Sequence, residues 1–152
     1  MARDPDNGLR AKFHDKLPQI HWQAIEVGVL GKGIPDTNFC WRGSEGWVEM
    51  KFTDTHAVGL MPEQVGWILR RMRSGGRVFV ATWRMHDGGP RRGEAVSELW
   101  LHEGWDAGRL KAEGLLAAPP VLLLEGGPSR WDWGLVGQTL VEWEFGRGPS
   151  PT

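Results

Sequence analysis

At 152 residues with 40% apolar side chains, the chain is sized for one domain and carries enough apolar surface to exclude a disordered polymer. Its lone cysteine, Cys40, excludes an intrachain disulfide, and the lack of a signal peptide or a bilayer-length apolar run points to a soluble protein of a reducing cytoplasm. The net charge of −1 conceals an asymmetry, because residues 1–92 hold 14 Lys/Arg against 10 Asp/Glu while residues 93–152 hold four against nine.

Leu9, Phe13 and Leu17 recur at i, i+4 and i+8, the stripe of a short helix that Asp6 or Asn7 can cap and Pro18 ends. Residues 20–29, rich in branched and aromatic side chains, read as a strand. Gly31-Lys32-Gly33 is a turn leading into Ile34-Pro35-Asp36, and residues 37–41 and 47–52 then form a β-hairpin joined by Arg42-Gly43-Ser44-Glu45-Gly46. Cys40, between Phe39 and Trp41, is expected to be a buried thiol. After a loop over 53–60, Pro62 suits a first helical position, Met61, Val65, Ile68 and Met72 form a helical stripe, and Gly75-Gly76 stops it. Strands are predicted at 77–83 and 97–101, separated by a Gly/Pro/Arg loop, followed by a short helix at 106–113 and an apolar run at 121–124. Ser129 is expected to cap a last helix with Trp133, Val136, Leu140 and Trp143 on one face, and the tail from Gly146 is expected to fray. This order predicts an α/β fold, a single domain with a central mixed β-sheet flanked by helices.

Chemistry concentrates on the hairpin. Along Trp47-Val48-Glu49-Met50-Lys51-Phe52 side chains alternate, so Val48, Met50 and Phe52 share an apolar face while Glu49 and Lys51 stand side by side on the other. A charged pair on a core strand is costly unless it is paired or binds something. Asp36 precedes the first hairpin strand, whose start folds back near the end of its partner, within reach of Glu49. Two carboxylates and a main-chain carbonyl make a hard oxygen site for Mg²⁺ or Mn²⁺, and a neighbouring lysine can hold water or phosphate. The bland alternative is a surface ion pair. The five histidines lack a zinc spacing, and Lys32 with its glycines lacks the ending of a P-loop. Between Arg70 and Arg92 stand seven arginines and one acid, Asp87, a stretch attractive to a polyanion.

Four blocks in order, 33–36 (Gly-Ile-Pro-Asp), 47–51 (Trp-Val-Glu-Met-Lys), 60–67 (with Pro62, Gln64 and Trp67) and 74–80 (Ser-Gly-Gly-Arg-Val-Phe-Val), resemble the PD-(D/E)XK nuclease superfamily. The likeness is greatest to the branch of VRR-NUC domains and Holliday-junction resolvases, and it covers about residues 20–83. It implies a restriction-endonuclease-like core and a metal-dependent endonuclease acting on branched DNA. The alternatives are a nuclease of the same fold acting on flaps, forks or duplex, and a non-catalytic DNA-binding module. It further implies that Asp36, Glu49 and the Met50 carbonyl ligate Mg²⁺ or Mn²⁺, that Lys51 serves the attacking water, and that Gln64 sits near the scissile phosphate. Several members add an upstream acid on the first helix. Glu26 is the nearest candidate, but its place on an apparent strand departs from that pattern. Lys32, His56, Arg70, Arg71, Arg73, Arg91 and Arg92 are expected to contact DNA. The resemblance also implies a homodimer, for which the Trp-rich C-terminal part is a candidate interface, and a compact nuclease of this kind would suit a phage or mobile element.

Overall fold

The computed structural model describes residues 6–25, 32–91, 93–146 and 148. Six strands lie in one sheet in chain order: β1 (His21–Ala24), β2 (Thr37–Trp41), β3 (Ser44–Thr53), β4 (Val78–His86), β5 (Val96–Glu103) and β6 (Leu122–Glu125). Neighbours run antiparallel except β3 and β4, which are parallel because helix α2 (Pro62–Arg73) carries the chain back between them. With α1 (Leu9–Lys16), α3 (Ala107–Glu113) and α4 (Trp133–Glu142), this is the expected α/β domain with a mixed sheet flanked by helices. No helix among the described residues is long and apolar enough to cross a membrane.

The β2–β3 hairpin is tighter than its composition suggested. Arg42 and Gly43 both have positive φ, 50° and 78°, the signature of a two-residue type I′ turn whose twist matches the strands. Residues 44–46 therefore belong to β3, pairing Ser44 with Trp41 and Glu45 with Cys40. Strand β4 runs on to His86 because β5 pairs with it as far as Val96. The apolar run near 121–124 forms the edge strand β6. Helix α4 is capped by Asp132, whose carboxylate accepts from the Leu135 N–H, and not by Ser129.

Both sheet faces are covered, so the alternation on β3 divides two cores. Val48 and Met50 join Leu9, Phe13, Phe39, Phe79 and Leu140 on one side. Val78, Val80, Ile68, Met72 and Leu110 fill the other, beneath α2 and α3. Trp131 packs edge-on to Trp83 at 5.8 Å and Trp133 edge-on to Phe13 at 5.3 Å, so these two tryptophans pack into the core, whereas Trp143 is 37% exposed. Cys40 is exposed, contrary to expectation. Phe39 takes the buried side of β2, and the opposite side, carrying Asn38 and Cys40, lies beyond the reach of α2. Met61, 57% exposed, likewise drops out of the α2 stripe.

Arg77, at the mouth of β4, ties the last helix down. Its guanidinium donates to the carbonyls of Leu140, at 2.8 and 3.1 Å, and Trp143, at 2.8 Å, answering the open C-terminal end of α4. The same group lies 5.0 Å over the Phe145 ring. Arg77→Ala is expected to lower stability by about 2–3 kcal/mol, read from the urea midpoint, with Arg77→Lys recovering only part because an ammonium cannot span both carbonyls.

Candidate metal centre

The site begins where β2 fails to cover β3. Thr37, the first residue of β2, pairs with Val48, so residues 49–53 of β3 extend past the end of their neighbour. The Trp47 N–H donates toward β4, to the Arg77 carbonyl at 2.9 Å. Main-chain direction alternates along a strand, and the N–H and C=O of one residue point to the same side. Met50 therefore turns both groups toward the side that β2 has vacated. Asp36 fills that gap, with its Oδ2 accepting from the Met50 N–H at 2.9 Å. The Met50 side chain lies in the opposite core, 1% exposed, which leaves its carbonyl beside the Asp36 carboxylate.

Glu49 is almost fully enclosed, 1% exposed. Its Oε1 accepts from Gln64 Nε2 at 2.8 Å and lies 3.3 Å from Lys51 Nζ. Gln64 Oε1 in turn accepts from Lys51 Nζ at 3.2 Å and from the Met61 N–H at 2.8 Å, at the start of α2. One amide orientation satisfies all three contacts, so Gln64 links the helix to both charged groups of the strand. Glu49 Oε2 is buried without a hydrogen-bond partner. Burial and then the Asp36 charge push the Glu49 carboxyl up to about 8, against the opposing pull of Lys51. At neutral pH burial and the Asp36 charge thus outweigh the ion-pair geometry and favour the protonated carboxyl of Glu49.

These residues line a hollow of about 220 Å³ together with Asp6 and Arg10. Asp36, Glu49, Met50, Lys51 and Gln64, all expected from the sequence, are brought together there. Asp6 and Arg10 were not expected at the site. Asp6 is 7% exposed and accepts from the N–H groups of Gly8, at 2.9 Å, and Arg10, at 3.1 Å, at the head of α1. Its only sequence signal is that of a helix cap in a polar stretch. Glu26 and Arg92 lie outside the described residues. Among the described residues no group of three or more His, Cys, Asp or Glu side chains is gathered closely enough to hold a metal ion. The available donor set is two carboxylates and a main-chain carbonyl.

The other residues expected at DNA are dispersed. Lys32 lines an adjoining hollow with Gly33, Met61, Glu63 and Gln64. Arg70, Arg71 and Arg73 are exposed along α2, and Arg91 is exposed on the loop after β4. His56 packs edge-on to Trp100 with centroids 6.4 Å apart, outside the acidic hollow, and burial followed by the nearby Arg84 charge lowers its pKa. Arg84 is engaged by Glu98 at 2.6 Å and by the Thr55 carbonyl at 2.7 Å. A larger hollow, about 570 Å³, opens at the far end of β4 and β5 among His86, Asp87, Glu94, Glu98 and Glu125. It has no lysine, and its most enclosed acid, Glu98, is already bound to Arg84, so size does not mark the chemistry here. No protein-family model matches the chain and no curated protein sequence does, so the site is read on its own geometry.

Proposed function

We propose that this protein is a divalent-metal-dependent endonuclease of the PD-(D/E)XK type, cutting phosphodiester bonds in DNA with a preference for branched structures and above all the four-way junction. The observation that carries this reading is the buried, unpartnered Glu49 Oε2 beside Asp36 and the vacated edge of β3, with Lys51 held at the same point by Gln64. An all-oxygen donor set of Asp36, Glu49 and the Met50 carbonyl fits Mg²⁺ or Mn²⁺. When bound, such an ion supplies Lewis acidity toward water and phosphate. Lys51, 12% exposed at the rim, positions the attacking water or a phosphate oxygen by its rotatable donors. Gln64 fixes Lys51 and engages Glu49 Oε1, while Oε2 receives no donor from the described residues and Asp36 stands close enough to raise the Glu49 pKa. Asp6 also lines the hollow, with its carboxylate held by the N–H groups of Gly8 and Arg10 at the head of α1.

Sequence-independent reading is supported by the exposed arginines on α2, since phosphate contacts position a duplex without reading it. Cutting both sides of a junction requires two copies, and sedimentation at micromolar concentration with junction DNA is expected to show a dimer. The deciding assay sets labelled junction, flap, single-stranded and duplex DNAs against Mg²⁺, Mn²⁺ or EDTA, beside Asp36→Asn and Lys51→Ala. Cleavage is expected only with metal, fastest on the junction, and reduced about 10³-fold in either variant. Absence of metal-dependent cutting on every substrate would leave a DNA-binding module in its place. Cutting confined to flaps or plain duplex would remove the junction preference alone.

A further inference from the structure

We infer that a stripe on α2 next to the metal centre is a subsite for one unpaired nucleotide of the bound DNA, stacked on the guanidinium plane of Arg71 with Trp67 behind it. This rests on the metal-dependent nuclease reading and not on the junction preference, because a fully paired four-way junction supplies an unpaired nucleotide only where base pairs at its crossover open.

Gln64, Trp67, Arg71 and Ser74 fall at i, i+3, i+7 and i+10, one line along α2 starting at the catalytic hollow. Trp47 flanks this line from β3, two residues before Glu49, and its ring meets Trp67 edge-on at 5.2 Å. Trp67 is therefore displaced from the site by about one helical turn, ~5 Å, and Trp47 by about two strand residues, ~7 Å. Trp47 thus stands about two nucleotide rises along a DNA strand from the site, and Arg71, seven residues beyond Gln64 on α2, about three, ~10 Å. Trp67, Arg70, Arg71 and Ser74 line a shallow hollow of about 220 Å³. On β1 and β2, His21, Gln23 and Cys40 are exposed, with His21 paired to Cys40 and Gln23 to Asn38.

Arg71 is held without being neutralised. Its Cγ and Cδ cross Gly76 so closely that a Cβ there would sit 2.6 Å from Cγ. Its guanidinium lies 4.7 Å over the Trp67 ring and 5.6 Å over that of Trp47. Among the described residues it makes no ion pair, and its side chain donates no hydrogen bond, unlike Arg77 and Arg84 of the same basic stretch. An exposed cation fixed over Trp67, with N–H groups that bond no described residue, suits a nucleobase stacked in the hollow and a phosphate at its edge, with Arg70 beside it. Bases inside a duplex present no face to stack on, so the occupant is an unpaired nucleotide.

The test uses the full chain in EDTA, where no cleavage is required. A labelled blunt duplex and the same duplex with a short single-stranded extension are titrated with wild type, Trp67→Phe, Trp67→Ala, Arg71→Lys and Arg71→Ala. Wild type is expected to bind the extended duplex about tenfold tighter than the blunt one. Arg71→Ala, Arg71→Lys and Trp67→Ala should lose that preference while blunt-duplex binding changes less than about threefold, and Trp67→Phe should keep most of it. Full preference in Arg71→Lys, or equal losses on both DNAs in Trp67→Phe and Arg71→Ala, would overturn the subsite. Because the readout is binding without metal, a failed subsite leaves the nuclease reading standing. A preserved preference without metal-dependent cleavage would do the reverse.

Discussion

Replacing Glu49 by Gln is expected to abolish metal-dependent cleavage and at the same time raise the melting temperature of the metal-free protein. Both effects come from one buried carboxylate. Its native pKa is about 8, against about 4.5 in the open chain. Between those values the native state holds a proton that the unfolded chain has released. Stability is therefore full below about pH 4.5 and falls as pH rises toward 8. At pH 7 the loss from this group is on the order of 3 kcal/mol. The amide removes that slope and keeps an oxygen for Gln64 to donate to, so the metal-free variant should melt roughly 5–10 °C higher at pH 7, with little difference near pH 4. Cleavage should fall at least about 10³-fold, because an amide is a poor ligand for a hard cation. Wild type should also bind Mn²⁺ more tightly as pH rises to about 8, since metal and proton compete for the same oxygens. Thermal melts at pH 4, 7 and 9, with and without Mn²⁺, check each part, and a metal-free variant that melts lower than wild type would contradict the argument.

Gly33→Ala is the second substitution with a large expected effect. Gly33 has φ +94°, a conformation that strains any side chain. A Cβ there would also run into the Glu63 carbonyl, with the Glu63 carbonyl carbon at 2.7 Å. Both partners are main chain and neither can rotate aside. The turn before Asp36 and the first turn of α2 are thereby pressed together, and these two segments set the positions of Asp36 and Gln64. Alanine should lower stability by about 3 kcal/mol in urea titration. It should also slow cleavage even where the protein remains folded, because forcing the two segments apart separates the groups that share Glu49. Gly59→Ala is the control. That position has nothing within 4 Å and no positive φ, so its substitution should change stability by no more than about 1 kcal/mol.

The parts of this site legible in the sequence are those whose geometry is local. Alternation puts Glu49 and Lys51 on one face whatever the rest of the chain does, and a hairpin returns Asp36 to them. Pro62 and Gly75-Gly76 bracket α2 closely enough to place Gln64 near its start. Asp6 was legible only as a helix cap, because its arrival depends on how α1 packs across β3, a contact between residues some forty positions apart. Cys40 was misread for the opposite reason. Its apolar neighbours suggested burial, yet period-two alternation sends Phe39 inward and its successor outward, where Cys40 is exposed. The choice between Ser129 and Asp132 as a cap was undecidable locally, since both residue types serve and only the chain's path selects one.

The strands pair in the order in which they are made, and the residues lining the acidic hollow all lie between 6 and 64. A nascent chain released by the ribosome as far as His86 already contains the hollow's lining, the crossover helix and the parallel strand that supports them. The described elements translated afterwards widen the sheet by β5 and β6 and cover it with α3 and α4, and Arg77 awaits the last helix to fasten it. Substitutions in the C-terminal half are therefore expected to leave the lining of the hollow in place, as long as a late segment still delivers carbonyls to that one guanidinium.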